Sequence, residues 1–313
     1  MYYKPDERWE IFRITDRELF EEKFVLKGHF HTGVPQDVRE AFVTVEYLLA
    51  SAWHYWPLYD EGVNKALRLI EIAVKLKAKE IGIGLTYKDK QGKSRSVALA
   101  QLIDQICPDP HHAHIKERLH RFRRIRNSQM HPDNHSYMGA MDIWVKNLKS
   151  VVNVLNLMFL PDAELVEMHR RTEVFTSSLT MFKDQLLVLE VPEKKYLIHS
   201  IQSFVVARDT FFIALEPVML DAFEAISNHR DLSGLLMVVR NPIPGEGSIS
   251  GQDSAGNAIS LSLNHKEENR ETHRFFCEDL AKLDNTSRSF YQLHLKNHYI
   301  WQIEEEMYAW WGV

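Results

Sequence analysis

From Val38 to Ala52 the apolar residues recur as Val38, Ala41, Phe42, Val45, Leu48 and Leu49, the spacing of a helix that buries one face. Pro35 suits its first turn. Tyr55, Trp56 and Pro57 read as a break, and beyond Gly62 a second helix carries Ala66, Leu67, Leu69, Ile70, Ala73, Val74 and Leu76. The following segment, IGIGLTYKDKQGKS, has the lysines and glycines of an exposed loop. A short third helix is expected from Val97 to Ile106, stopped by CPDP, and a fourth from about His112 to Gln129, closed by the approach of Pro132. A fifth, Met141 to about Phe159, sets Trp144, Val145, Leu148, Val151, Val152 and Leu155 on one side before Pro161 ends it. The pattern predicts an N-terminal extension (1–34) and a mainly α, up-and-down helical bundle over 35–162.

Beyond about residue 165 the periodicity changes. LLVLEV and GLLMVV are short β-like runs, and GSISGQDSAGNAISLSL reads as two strands around a turn at Asp253 to Asn257. FVVARDTFFIALEPVMLDAFEAI is ambiguous between strand and helix, whereas Glu267 to Leu283 and Tyr291 to Trp310 are helical in pattern. An α+β domain over 163–313, regulatory or partner-binding, is therefore expected.

A chain of 313 residues is longer than one ordinary core, which agrees with two domains. The net charge of −5 does not advertise nucleic acid, so such a partner must be met by a local basic patch. Cys107 and Cys277 are the only cysteines, which excludes a disulfide framework and a Cys-x-x-Cys metal pair. With no leader-like start and no apolar run of bilayer length, a cytoplasmic, non-membrane protein is expected. Phosphate-binding and nucleophile-elbow glycine motifs are also missing, which weakens NTPase, dinucleotide-enzyme and α/β-hydrolase assignments.

The chemistry-bearing stretch is RIRNSQMHPD, 124–133. On a helical wheel Ile115, Leu119, Phe122 and Ile125 form the apolar side of the fourth helix, and Arg126 falls on that stripe. A guanidinium there needs a carboxylate partner or a cleft to face, and Glu71 on the second helix is one candidate partner. His131 follows where the helix ends, free to fold back toward the arginine, and Asn127 offers a donor and an acceptor to hold its tautomer. HHAH (111–114), His120, His131 and His135 raise a metal site, but His111, His112 and His114 are expected to splay around a helix start and Pro132 interrupts the spacing of the last two; no metal ligands are assigned.

Arg126-Asn127-Ser128-Gln129-Met130-His131 matches the R-x4-H motif of the HEPN superfamily, and the order of helices over about 35–160 is similar to that family's. The resemblance implies a metal-independent endoribonuclease with no cofactor, often a homodimer with two motifs facing each other, and toxin or antiviral-defence roles restrained by an antitoxin or regulatory protein. It would make His131 the general acid/base, Arg126 the phosphate clamp and Asn127 an orienting group. Arg118, Arg121, Arg123 and Arg124 would then supply a basic rim for the RNA backbone. The alternative is a non-catalytic HEPN-like scaffold, binding protein or nucleotide, in which Arg126 is a structural ion pair.

Overall fold

The computed structural model describes residues 3–129, 141–228 and 234–312, which divide into two compact units, Met1–Asp162 with Tyr308–Val313 and Ala163–Met307. The first unit holds α1 (Arg17–Phe24), α2 (Gln36–Ser51), α3 (Pro57–Glu80), α4 (Leu99–Ile106), α5 (Ala113–Gln129) and α6 (Met141–Met158). Residues ahead of α2 are part of this unit's core rather than an appendage. Trp9 is buried, packs its ring tilted against Trp56 at 4.3 Å and edge-on against Phe20 at 4.5 Å, and donates from Nε1 to Ala52 O at 2.9 Å.

Helix α3 starts at Pro57, one turn earlier than Gly62 suggests, because proline is tolerated at the first helical position where its missing N–H has no intrahelical partner to lose. Gly62 is therefore inside the helix. A Cβ there would stand 2.9 Å from Leu49 Cδ2, so the glycine is what allows α2 and α3 to close on each other. The segment read as a loop contains an exposed hairpin, β1 (Thr86–Lys88) with β2 (Ser94–Ser96), whose turn is held by Asp89 Oδ1 accepting from the backbones of Gln91 and Lys93. Leu102 and Ile103 of α4, Leu119 and Phe122 of α5 and Val151, Val152 and Leu155 of α6 are fully enclosed.

The second unit is richer in structure than the expected α+β domain. Helix α7 (Asp162–Leu179), unforeseen in the sequence, leads to six strands: β3 (Leu187–Val191), β4 (Lys194–Ala207), β5 (Thr210–Pro217), β6 (Leu235–Gly245), β7 (Ser248–Gln252) and β8 (Ala258–Leu263). Each pairs antiparallel with the next, and β8 returns to β3 with Leu263 opposite Leu187, closing a barrel without free edges. Its interior is filled by Leu187, Leu189, Ile198, Phe211, Ile213, Leu215, Met237, Val239, Ile249 and Leu261, with Phe175 of α7 joining the same core. Among the described residues three further helices follow: α8 (Ala222–Ser227), α9 (Glu267–Lys282) and α10 (Asn285–Trp311).

The ambiguous stretch resolves into β4, β5 and α8. Strand β5 is enclosed on both faces, Phe211, Ile213 and Leu215 within the barrel and Phe212, Ala214 and Glu216 outside it. A strand buried on both sides loses the alternation that identifies strands. In β4 the register shifts between Ile198 and Ser200 and again between Ile201 and Ser203. Those irregularities keep Ile198, Ile201 and Phe204 on the core while His199, Ser200, Gln202 and Ser203 line a cleft on the other side. The resulting spacing of three mimics a helix.

Candidate functional site

Arg126 lies one turn beyond Phe122 and continues the inward stripe of α5. Its Nη2 donates to Glu71 Oε2 at 2.6 Å, and Lys75, one turn along α3 from Glu71, donates to Oε1 at 2.7 Å. One carboxylate thus bridges two cations. The hydrogen bond from Lys75 holds the Glu71 carboxyl below the usual carboxylate range, with the charge of Arg126 adding to it and partial burial opposing. Arg126 Nη1 donates to Asn127 Oδ1 at 3.2 Å, while its Nε is enclosed and has no hydrogen-bond partner among the described residues. The Arg126 side chain keeps 30% of its surface exposed, so the pair is anchored but not sealed. Asn127 is exposed. His131 and His135 lie outside the described residues.

The expected basic rim is not continuous. Arg118 is buried, and Arg121 reaches α6, donating from Nη2 to Asn147 Oδ1 at 2.8 Å. Burial takes Arg118, and the bond to α6 takes one Arg121 donor, out of a continuous rim. Arg123 is half-buried with its Nε enclosed, and Arg124 alone of the four is exposed.

His111 and His112 converge instead of splaying. They belong to a 3-10 turn, Pro110–His112, ahead of α5, and both approach Asp162 Oδ1, at 2.9 and 3.4 Å. Asp109, His111 and His112 lie close enough together to hold a cation. Burial, followed by the neighbouring His111, lowers the pKa of His112.

A second site went unforeseen in the sequence. Within the second unit a cleft of about 840 Å³ is lined by residues of β4, β5, α9 and α10. At its wall the Glu216 carboxylate, 5% exposed, accepts from Ser200 Oγ at 2.7 Å, Gln202 Nε2 at 2.7 Å and Tyr291 Oη at 2.8 Å. Tyr291 is pushed above the ordinary phenol range by burial and then by that carboxylate. Beside it, His199 Nδ1 stands 2.9 Å from His273 Nε2, and Cys277 Sγ stands 3.5 Å from the same nitrogen. Burial lowers the pKa of His273 and raises that of Cys277. Phe276, fully buried, packs edge-on against the His199 ring at 5.1 Å and helps fix its orientation.

Part of this site was legible: HRFFC places His273 and Cys277 four apart in a segment of helical pattern, hence on one face. The contribution of His199 depends on the irregular register of β4, which the sequence does not announce.

Comparison with family models, curated proteins and solved structures yields no match. Functional assignment therefore depends on the chemistry of the two sites.

Proposed function

We propose that the first unit is a metal-independent endoribonuclease of HEPN type, with Arg126 gripping the scissile phosphate, His131 as general acid/base and Asn127 orienting them. The observation that carries it is the state of the Arg126 guanidinium. Among the described residues its two hydrogen bonds, to Glu71 and Asn127, use two of its five N–H donors, and part of the side chain remains open to solvent. Each terminal nitrogen keeps one N–H beyond these bonds, so a guanidinium held by Glu71 and partly open to solvent still has donors for phosphate oxygens. RNA carries its own 2′-hydroxyl nucleophile, so the chemistry calls for a proton acceptor, a proton donor and a cation at the phosphate. A homodimer supplies a second histidine for the opposite side of the phosphate. A toxin or phage-defence role, held in check by an antitoxin or regulatory protein, extends the proposal by analogy with the family.

A second reading is favoured by one observation: Glu71 supplies Arg126 with a partner inside the same chain, as a non-catalytic scaffold would require. Cleavage of single-stranded RNA in the presence of chelator separates the two. The ribonuclease predicts that His131→Ala and Arg126→Ala each abolish cleavage while circular dichroism stays that of the parent. No cleavage by the folded parent supports the scaffold, and cleavage at the parental rate by both folded variants overturns the assignment of Arg126 and His131.

A further inference from the structure

We propose that His199, His273 and Cys277 form a zinc site, with an open coordination position facing the cleft of the second unit. The three donor atoms, His199 Nδ1, His273 Nε2 and Cys277 Sγ, all lie within 4.8 Å of one another. For zinc bonds of about 2.0–2.1 Å to nitrogen and 2.3 Å to sulfur, a tetrahedron places its donors about 3.3 Å (N to N) and 3.6 Å (N to S) apart. The measured separations are 2.9 Å and 3.5 Å. The His273–Cys277 edge already matches, the His199–Cys277 edge lies within 4.8 Å, and the two rings need to part by about 0.4 Å to reach the nitrogen edge.

The arrangement without a cation leaves a bonding deficit. His273 Nε2 faces two neighbours, and a neutral ring nitrogen has either one proton or one lone pair to offer, never enough for two good hydrogen bonds. A cation at the centre accepts the lone pairs of all three donors together. The scaffold suits ligation, because His273 and Cys277 occupy one face of α9 at i, i+4 while the irregular register around His199 turns that residue outward from the barrel. Such irregularities recur at barrel rims next to functional sites, where they re-aim side chains.

Imidazole and thiolate together favour zinc over calcium or magnesium, which prefer oxygen ligands. Three protein ligands leave one tetrahedral position for water or a bound molecule, the pattern of reactive rather than purely structural zinc. His199 and Cys277 both line the cleft, and the enclosed Glu216 lines it too. A ligand entering there meets Arg288 and Lys296 along with the apolar Leu295 and Ile300, which favours a small anionic molecule with an apolar portion.

The test uses the full chain, purified without a histidine tag, and measures zinc by mass spectrometry after dialysis. One zinc per chain is expected, reduced at least tenfold in His273→Ala and in Cys277→Ser, and retained in a His111→Ala/His112→Ala double variant that disables the other convergent cluster. Cobalt exchanged into the parent should give a thiolate-to-metal charge-transfer band that Cys277→Ser removes, and azide should shift its visible bands by occupying the open position. Zinc at full occupancy in Cys277→Ser, loss of zinc only in the double variant, or no zinc retained by the parent would each overturn the assignment. A cobalt spectrum indifferent to azide overturns the open position. Folding of each variant is checked by its thermal transition, and if His273→Ala fails to fold, His273→Gln takes its place. Ribonuclease activity enters none of these readouts, so the two proposals stand or fall separately.

Discussion

Replacing Glu71 by glutamine preserves the side chain's shape and deletes its charge. In the parent that carboxylate accepts from Arg126 at 2.6 Å and Lys75 at 2.7 Å and is 24% exposed. Exposed ion pairs contribute about 0–1 kcal/mol, whereas removing one partner of a buried pair costs about 3–5 kcal/mol. A quarter-exposed carboxylate shared by two cations lies between these limits, so the expected loss is about 1–2 kcal/mol. For a unit of this size that lowers the melting temperature by about 3–6 °C. Thermal and urea unfolding at neutral pH measure it, and repeating the measurement in acid checks its origin. Because the folded carboxyl titrates below its unfolded value, the stabilisation is complete above the ordinary glutamate pKa of about 4.3. It disappears as pH falls through the lower, folded value. The glutamine variant has no such charge to lose, so the two stability curves should converge in acid. Equal stability at pH 7, or a gap that widens toward low pH, would refute the reasoning.

Tyr299→Phe deletes the donor to Leu215 O, a buried bond of 2.9 Å, and should cost about 1–2 kcal/mol in urea unfolding. Gly251→Ala forces a Cβ to within 2.4 Å of Val239 Cγ2 and 2.8 Å of the Arg240 carbonyl, so the same assay should show a loss of about 1–3 kcal/mol; an unchanged midpoint would mean that β6 and β7 are not packed this closely. Cys107 is buried, and its thiol is pushed up to about 12, mainly by that burial. At pH 8 roughly one molecule in 10⁴ carries the thiolate there, so a disulfide reagent should label Cys107 only after denaturation, and rapid labelling of the native chain contradicts its burial.

Legibility in the sequence followed how much of each element's identity is local. Helices α2 to α6 each bury one stripe, and a stripe is visible as a period, so the spacing alone points Val38, Phe42, Val45 and Leu49 inward, where all four are buried. The barrel was harder because closure is a property of six strands together. Strand β5 shows no alternation since both of its faces are covered, and the double irregularity of β4 turned IHSIQSF into a pattern of threes. At the motif, position on the wheel foretold that Arg126 would need company, and Glu71 provides it. The expected rim failed at Arg118 and Arg121, because a position off the apolar stripe becomes buried or bonded only when neighbouring chain happens to lie over it. His111 and His112 failed for a different reason: they precede α5 in a tighter turn, where α-helical spacing does not apply.

The placement of Arg126 also bears on why a phosphate site here would need it. Anions usually settle at helix N-termini, where free N–H groups and the positive end of the dipole receive them. Arg126 stands in the last turn of α5, at the end carrying roughly half a negative charge, which repels a phosphate. Glu71 adds a full negative charge, yet Lys75 and Arg126 outweigh it, leaving the cluster at one net positive charge before Arg124 is counted. That surplus is small and is shared between the Lys75 ammonium and the Arg126 guanidinium. Backbone amides cannot take over its part at a C-terminal helix end, where carbonyls are the groups in excess. In the proposed enzyme, phosphate affinity accordingly depends on this one side chain far more than it would at a helix start, and Glu71 serves by orienting the fork while leaving enough charge to bind.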